Sequence, residues 1–238
     1  MVTVGPTLVL VHGGTKTSTM WDPVGAHLRS PWTAVDLPGR RHRPADLSTV
    51  SRDDWVRAVG DDIAGLGDVV LVGHSSAGYV IPGVAAIAGE KVRRLVFVAA
   101  TVPAEATRPV DFLKPALKEM TLDSEAYLYE STAAKTIGDL RPGEAPIRTD
   151  LEVVENGPRL GHEAPGPLFA PFTWTGVPPT VPRTYVRCLR DRVIPPDLVR
   201  VMVENMGGAE VVDVDAGHDV AVEAPAALAG VLDELAQR

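Results

Sequence analysis

Short apolar runs alternate with longer segments of helical periodicity along most of this chain. The runs with strand character before residue 100 are 7–12 (TLVLVH), 33–36, 68–73 (DVVLVG) and 93–99. Helical periodicity is clearest at residues 20–29 and in the stretch that Ser51 opens. A strand–helix–strand alternation favours parallel strands, because the connecting helix crosses one face of the sheet. The chain is therefore predicted to be an α/β protein with a mostly parallel, doubly wound sheet.

The alternation stops between residues 101 and 182. Two helical patterns lie in this stretch, near 109–120 and 123–140. An insertion of this length between two halves of an α/β sheet is typical of a cap. It is expected to lie over the carboxyl ends of the strands, where ligands bind in such sheets.

Strand patterns resume at 184–189 and 210–214, and Pro225 suits the first position of a last helix. We therefore predict a core of residues 1–100 and 183–238, interrupted by a helical cap at residues 101–182. The basic stretch 39–44 (GRRHRP) is expected to be a solvated loop.

Charge and cysteine content restrict the classes of partner. The 238-residue chain has a net charge of −8, whereas a nucleic-acid surface needs an excess of lysine and arginine. Cys188 is the only cysteine, so an internal disulfide and a thiolate metal cluster are excluded. No apolar run is long enough for a signal peptide or a membrane span. We expect a cytoplasmic protein with a small-molecule substrate and no nucleic-acid or membrane partner, and we leave homodimerisation open.

The most specific motif is the segment 73–78 (GHSSAG), which directly follows the third strand pattern. A serine on such a sharp strand-to-helix turn is called a nucleophile elbow, and it needs small residues two positions to either side. Gly73 and Ala77 meet that need around Ser75. Ser76 is the alternative centre, but it would put His74 at a crowded position. The structural alternative is an ordinary turn with serine as the helix N-cap.

A serine hydroxyl is a poor nucleophile at neutral pH and needs a general base. His218 follows the strand pattern that ends near Val214, so it is predicted at the same sheet edge as Ser75. The remaining histidines are expected to be structural or exposed: His12, His27, His42, His74 and His162.

The base needs an acid that orients it, and Asp191 follows the strand pattern 184–189. The order Ser75, Asp191, His218 is the triad order of α/β-hydrolase enzymes. A surface pair with Arg190 or Arg192 is the alternative role for Asp191. The competing carboxylates are Asp213 and Asp215, which are too near His218 in sequence, and Asp197, which belongs to the next helix.

Acyl transfer also needs donors for the developing oxyanion. The backbone N–H of Ser76 is the first predicted donor, and that of Gly14, in the loop after the first strand, is the second. Glycine there lets the backbone approach a substrate closely.

Four segments together resemble the α/β-hydrolase superfamily, over essentially the whole chain outside the insertion. They are residues 11–14 (VHGG), 36–39 (DLPG), 72–78 (VGHSSAG) and 216–218 (AGH). The chain is most similar to the esterase and hydroxynitrile-lyase branch, and the resemblance implies an acyl-enzyme on Ser75, no cofactor and a cap that selects the substrate. The cyanohydrin lyases of that branch carry threonine in the first oxyanion loop and lysine after the catalytic histidine. Gly13 and Asp219 stand at these positions here, which disfavours cyanide-lyase chemistry.

Several side chains are candidates for the substrate pocket. Near the turn they are Gly13, His74 and Tyr79, where Tyr79 faces either the helix core or the pocket. The aromatic candidates of the predicted cap are Phe112, Tyr127, Tyr129, Phe169, Phe172 and Trp174, and for each of them packing of cap against core is the alternative. No zinc-ligand spacing, phosphate-binding loop or dinucleotide fingerprint occurs, so no metal or cofactor is predicted.

The favoured hypothesis is a serine hydrolase that cleaves a carboxylic ester, a thioester or a lactone. The alternatives are a cofactor-free lyase, elimination or cyclisation enzyme on the same fold, and a ligand-binding protein without catalysis.

Overall fold

Six parallel strands form the single sheet of the computed structural model, which describes residues 5–47, 49–112, 164, 166–194 and 196–238. The strands are β1 (Thr7–Val11), β2 (Trp32–Val35), β3 (Val69–His74), β4 (Val92–Val98), β5 (Arg183–Cys188) and β6 (Glu210–Val214). Their order across the sheet is β2-β1-β3-β4-β5-β6. The chain thus moves from β1 to β2, returns to the other side of β1 and continues outward. The prediction of a parallel, doubly wound sheet is confirmed.

Helices cover both faces of this sheet. They are α1 (Asp22–Gly25), α2 (Arg52–Ile63), α3 (Ile81–Ala88), α4 (Gly166–Phe169), α5 (Pro196–Asn205), α6 (Val220–Glu223) and α7 (Pro225–Ala236). Alternate residues of β1 enter opposite cores: Val9 packs in the cluster that holds α2 and α3, and Leu8 in the cluster that holds α1 and α7. Because both faces are buried around β1 and β3, these central strands are nearly continuously apolar rather than alternating.

The start of α2 shows how local sequence sets a boundary. The backbone N–H of Asp54 donates to the Ser51 hydroxyl over 3.2 Å, and the backbone N–H of Ser51 donates to the Asp54 carboxylate over 2.8 Å. This reciprocal capping box satisfies N–H groups that have no partner inside the helix. The predicted helix start at Ser51 is confirmed.

The helix predicted at residues 20–29 is much shorter in the structure. A 3₁₀ turn, Ser18–Trp21, leads into the single turn of α1. Hydrogen-bonded turns continue to Leu28, and the chain then turns away where the buried carboxylate of Asp233, in α7, accepts the backbone N–H groups of Arg29 and Ser30. This tertiary contact directs the chain into β2 and overrides the helical periodicity.

The basic stretch 39–44 is not simply a solvated loop, and that expectation is wrong for Arg40. Its side chain is buried, and its Nε–H donates to the backbone carbonyl of Lys16 over 3.0 Å. Arg41 and His42 are exposed as expected. A buried guanidinium needs hydrogen-bond acceptors, and the loop after β1 supplies one of them.

Parts of the predicted cap pack directly on the sheet. Val102, Val110, Phe172 and Val181 are buried in the same apolar cluster as β3 and β4. A 3₁₀ turn, Pro109–Phe112, lies where the first cap helix was predicted to begin. The rest of that helix, the helix predicted at 123–140, Tyr127, Tyr129 and His162 lie outside the described residues. The cap boundaries at 101 and 182 stay a prediction.

Among the helices that the structure describes, none combines the length and the apolar character needed to cross a bilayer.

Candidate active site

The turn after β3 holds Ser75 in a left-handed backbone conformation with a φ of 52°. A 3₁₀ turn, Ser75–Tyr79, begins directly where β3 ends. A Cβ atom added at Gly73 would lie 3.1 Å from the backbone carbonyl carbon of Ala77, so the turn is already tight. Positive φ falls on Ser75 and not on Ser76, which favours Ser75 as the centre of the turn.

Contacts from β4 and β5 support this strained turn. The backbone N–H of Thr101 donates to the carbonyl of Ser75 over 3.0 Å, and the Tyr185 hydroxyl donates to the carbonyl of Ala100 over 2.9 Å. A Cβ atom at Gly78 would overlap the carbonyl oxygen of Thr101. A non-glycine residue at positive φ costs about 1–3 kcal/mol, and such support makes that conformation persist. No sequence pattern indicated Thr101 or Tyr185, because their contacts depend on the pairing of distant strands.

Ser75, His218 and Asp191 meet in one hydrogen-bonded chain at the carboxyl edge of the sheet. The Ser75 Oγ lies 3.0 Å from His218 Nε2, and His218 Nδ1 lies 2.9 Å from Asp191 Oδ2. The side chain of Asp191 is 2% exposed and that of His218 is 17% exposed. A buried carboxylate thus faces one nitrogen of the imidazole, and a hydroxyl faces the other. The structure brings together the three side chains that the sequence singled out.

The second oxygen of Asp191 is held by the backbone. Its Oδ1 accepts the N–H groups of Val193 over 2.7 Å and Ile194 over 2.9 Å. These bonds fix the orientation of the carboxyl group and leave Oδ2 for the imidazole.

The competing carboxylates have other partners. Asp213 binds Arg187 through two hydrogen bonds of 2.7 Å, and Asp215 binds Arg190 over 2.8 Å. The side chain of Asp197 lies outside the described residues. The surface pair considered for Asp191 is made instead between Arg190 and Asp215.

His74 is buried beside the turn and contacts the backbone of the loop that carries His218. Its Nε2–H donates to the carbonyl of His218 over 2.9 Å, and its Nδ1 is buried without a hydrogen-bond partner. Burial, and secondarily the nearby His218, lowers the pKa of His74 to about 3. His74 is therefore neutral, and its hydrogen bond supports the loop that carries His218.

His12, at the end of β1, has a comparable structural role. Its Nδ1–H donates to the carbonyl of Gly13 over 2.8 Å, and its Nε2 accepts the backbone N–H of Leu37 over 3.1 Å. Burial, and secondarily Arg40, lowers the pKa of His12 to about 4. His27 is exposed.

We expect acid to destabilise the fold through His12 and His74. A histidine in the unfolded chain has a pKa of about 6.5, whereas the pKa values of both buried imidazoles in the folded protein are lower. Below about pH 6.5 the unfolded chain binds protons that the folded chain does not, so the free energy of unfolding falls as the pH drops toward 4. Each histidine contributes a slope of about 1 kcal/mol per pH unit in that window.

Urea unfolding between about pH 7.5 and pH 4.5 checks this expectation. The variant His74→Gln, which keeps a side-chain N–H, should show a shallower dependence of stability on pH than the unmodified protein. The exposed His27→Asn is the matched control and should leave the slope unchanged. An identical slope in His74→Gln would contradict the argument.

The predicted oxyanion donors lie in the two loops that flank Ser75. Gly14 is half-buried in the loop after β1, and Ser76 follows Ser75 in the turn. A Cβ atom at Gly13 would lie 2.8 Å from His74 Nδ1 and 2.9 Å from Ser75 Cβ, so this loop touches the turn closely. The backbone N–H of Lys16 donates to the carbonyl of Gly13 over 3.3 Å, and Thr15 has a positive φ of 59°. The loop is therefore a tight turn packed against Ser75.

The pocket candidates divide into packed and partly open side chains. Tyr79 is buried in the core, which favours the helix-core alternative. Phe172 is buried against Trp174 at a ring distance of 5.3 Å, and Trp174 also contacts the guanidinium of Arg183. These contacts favour packing for both aromatic residues. Phe169, in α4, is half-buried. The side chain of Phe112 lies outside the described residues.

Cys188 is buried at the end of β5, and burial raises the pKa of its thiol to about 12. It behaves as a small apolar side chain rather than a reactive thiol. Across the part of the chain that the structure describes, no group of three or more His, Cys, Asp or Glu side chains is arranged to hold a metal ion.

Comparisons with known proteins agree with this architecture. A pyrethroid hydrolase from Sphingobium wenxiniae is 25% identical over 256 aligned positions, which cover 96% of this chain and 87% of that protein. Methylesterase 7 from Arabidopsis thaliana is 26% identical over 257 positions, covering 97% and 96%. The solved structure of an extracellular α/β-hydrolase from a Paenibacillus species superposes with a TM-score of 0.79 at 20% identity, covering 96% of this chain and 98% of that one.

The likeness to the Paenibacillus structure shows the fold. The first two relatives, which are named as hydrolytic enzymes, align with this chain over most of its length. The model of the alpha/beta hydrolase family matches residues 8–231, which is nearly the whole chain. The strained serine on the strand-to-helix turn after β3 is the arrangement typical of that family. This protein belongs to the alpha/beta hydrolase family.

Proposed function

We propose that this protein is a serine hydrolase that cleaves a carboxylic ester, a thioester or a lactone through an acyl-enzyme on Ser75. One observation carries the proposal: Ser75 Oγ is 3.0 Å from His218 Nε2, while His218 Nδ1 is 2.9 Å from the buried Asp191. A base in hydrogen-bond contact with a hydroxyl, itself oriented by a carboxylate, is the arrangement that activates a serine.

In this mechanism Ser75 Oγ attacks the carbonyl carbon of the substrate, and its proton passes to His218 Nε2. Asp191 keeps the Nδ1–H of His218 in place and stabilises the imidazolium that forms. The imidazolium then gives its proton to the leaving alcohol or thiol, and the acyl group stays on Ser75. Water, deprotonated by His218, attacks the acyl-enzyme. The bond to Ser75 Oγ then breaks, His218 returns the proton to that oxygen, and the carboxylic acid is released.

The negative oxygen of the tetrahedral intermediate is assigned to the backbone N–H groups of Ser76 and Gly14. The close approach of the Gly13 backbone to Ser75 supports this assignment, because it puts the loop after β1 beside the nucleophile. Loss of one such donor typically costs about 10²–10³ in rate.

Relatives named as a pyrethroid hydrolase and a methylesterase support an ester substrate. The substrate is proposed to lie between the turn at Ser75 and a cap built from residues 101–182. Gly13 and the half-buried Phe169 are the remaining candidates for contacts with it, since Tyr79, Phe172 and Trp174 are engaged in packing. The buried His74 is engaged with the carbonyl of His218. The proposed chemistry uses only groups of the protein and a water molecule, and it needs no cofactor.

A serine-directed fluorophosphonate, combined with p-nitrophenyl butyrate, tests the proposal. We expect one label per chain, on the peptide that contains Ser75, and turnover of the ester. Ser30→Ala is the matched control, because Ser30 lies just before β2 at the opposite end of the sheet, and it should label as the unmodified protein does.

Two outcomes would redirect the assignment. Labelling of Ser75 without turnover of any ester would favour a lyase, elimination or cyclisation reaction in which His218 moves protons and Ser75 only positions the substrate. Absence of labelling would favour a ligand-binding protein without catalysis.

A further inference from the structure

An ion pair joins the two loops that flank the proposed nucleophile, and the mechanism above does not use it. Lys16 Nζ lies 3.0 Å from Asp219 Oδ1, with side chains that are 9% and 22% exposed. Exposed ion pairs contribute little, but a pair withdrawn from water is weakly screened and acts strongly on neighbouring charges. No sequence pattern indicated this contact, because its partners are about two hundred residues apart.

The pair connects two functional segments. Lys16 lies two residues after Gly14, in the loop that supplies a proposed oxyanion donor, and Asp219 directly follows His218. The backbone on the lysine side is anchored as well, because the carbonyl of Lys16 accepts the Nε–H of the buried Arg40. The ion pair therefore ties the loop after β1 to the loop after β6.

The carboxyl group of Asp219 favours its charged form in the folded protein. Burial raises the pKa of Asp219, but the Lys16 ammonium lowers it by more, and the net shift is downward. The carboxylate thus stays ionised beside the imidazole loop.

The other groups that face His218 come from three elements. Asp191 approaches Nδ1 from the loop after β5, His74 contacts the backbone carbonyl from the end of β3, and Ser75 faces Nε2 from the turn. On its own segment, Glu223 in α6 accepts the backbone N–H of Gly217 over 2.9 Å. Lys16 is the cation that the loop after β1 adds to this set.

We propose that Lys16 and Asp219 form a positioning pair that holds the oxyanion loop against the His218 loop and balances the charge felt by His218. The proposal rests on the function proposed above. A carboxylate alone beside the imidazole would favour the imidazolium, which cannot accept the proton of Ser75. An ammonium alone would oppose the imidazolium that forms during attack. The pair supplies both charges, so neither an unbalanced carboxylate nor an unbalanced ammonium acts on His218.

Single substitutions of the pair should move the protonation of His218 in opposite directions. Asp219→Asn leaves the Lys16 charge and should lower the midpoint of the acid limb of the kcat/KM profile by about half a pH unit or more. Lys16→Met leaves the Asp219 charge and should raise that midpoint by a similar amount. In the double variant, which has neither charge, the midpoint should lie between the midpoints of the two single variants.

The imidazole resonances of His218, followed by NMR across the same pH range, give a readout that needs no turnover. They are assigned by comparison with the spectrum of His218→Gln. Asp215→Asn is the matched control: it removes a carboxylate that is 78% exposed and paired with Arg190, and it should leave both readouts unchanged. The midpoint is expected to shift in a stated direction in each single variant, so one variant that folds is sufficient for the test.

Opposite shifts in the two single variants would support the pair. Midpoints that stay within error of the unmodified protein, or that move in the same direction in both variants, would overturn it. If the unmodified protein turns over no ester, the proposed hydrolase function fails, while the NMR midpoints still decide the role of Lys16 and Asp219.

Discussion

Replacing Ser75 by alanine is expected to lower kcat/KM for a p-nitrophenyl ester by about 10⁴- to 10⁶-fold. Alanine has no oxygen that could attack the carbonyl carbon, so the covalent intermediate cannot form. Residual hydrolysis would come from the oxyanion donors and from His218 acting on water. The measurement is steady-state hydrolysis of p-nitrophenyl butyrate, with active-site titration of the unmodified protein to fix the enzyme concentration.

The Ser75→Ala variant should remain folded, which makes the loss of rate interpretable. Alanine and serine carry the same penalty at a φ of 52°, and the bond from Thr101 to the residue-75 carbonyl involves only backbone atoms. Its thermal midpoint should therefore lie close to that of the unmodified protein. Ser30→Ala serves again as the control for activity. A folded Ser75→Ala protein that keeps more than about one hundredth of the activity would exclude Ser75 as the nucleophile.

The second large effect is expected for Asp191→Asn, with a fall in kcat of about 10⁴-fold. The oxygen Oδ1 of Asp191 accepts two backbone N–H groups, from Val193 and Ile194. An asparagine that keeps these bonds must place its oxygen there and turn its NH₂ group toward His218. The NH₂ group would then donate to Nδ1, which moves the imidazole proton to Nε2. In that tautomer His218 cannot accept the proton of Ser75.

The control for this variant is Asp215→Asn, which changes the same functional group on an exposed carboxylate held by Arg190. We expect Asp215→Asn to retain activity. In Asp191→Asn we expect KM to change little, because neither carboxylate is assigned to substrate contact. A rate near that of the unmodified protein at neutral pH would assign the orienting acid to another residue.

Much of the fold followed from local patterns. The continuous apolar runs 7–12 and 68–73 indicated strands buried on both faces, and the structure has them as β1 and β3 with one apolar cluster on each side. The helix start at Ser51 was also predicted from neighbouring residues, and the structure forms a capping box there between residues only three positions apart. Local patterns are reliable where the partners are neighbours in sequence.

The errors came from contacts between distant residues. The α-helix expected at 20–29 spans only Asp22–Gly25, and the chain turns toward β2 where Asp233 accepts the backbone N–H groups of Arg29 and Ser30. Arg40 is buried because the loop after β1 offers it a carbonyl, although its own segment is strongly polar. In both cases a tertiary hydrogen bond outweighed the local preference, and such bonds leave no trace in the surrounding sequence.

For the candidate site, the amino-acid sequence by itself determined the residue types and their places at the carboxyl ends of strands, and so it singled out Ser75, Asp191 and His218. Only the tertiary structure decided that these side chains lie within hydrogen-bond distance, that Thr101 and Tyr185 support the strained serine, and that Lys16 reaches Asp219. The reason is physical. Periodicity and turn chemistry depend on residues a few positions apart, whereas these contacts depend on strand order, which is set by the packing of the whole sheet.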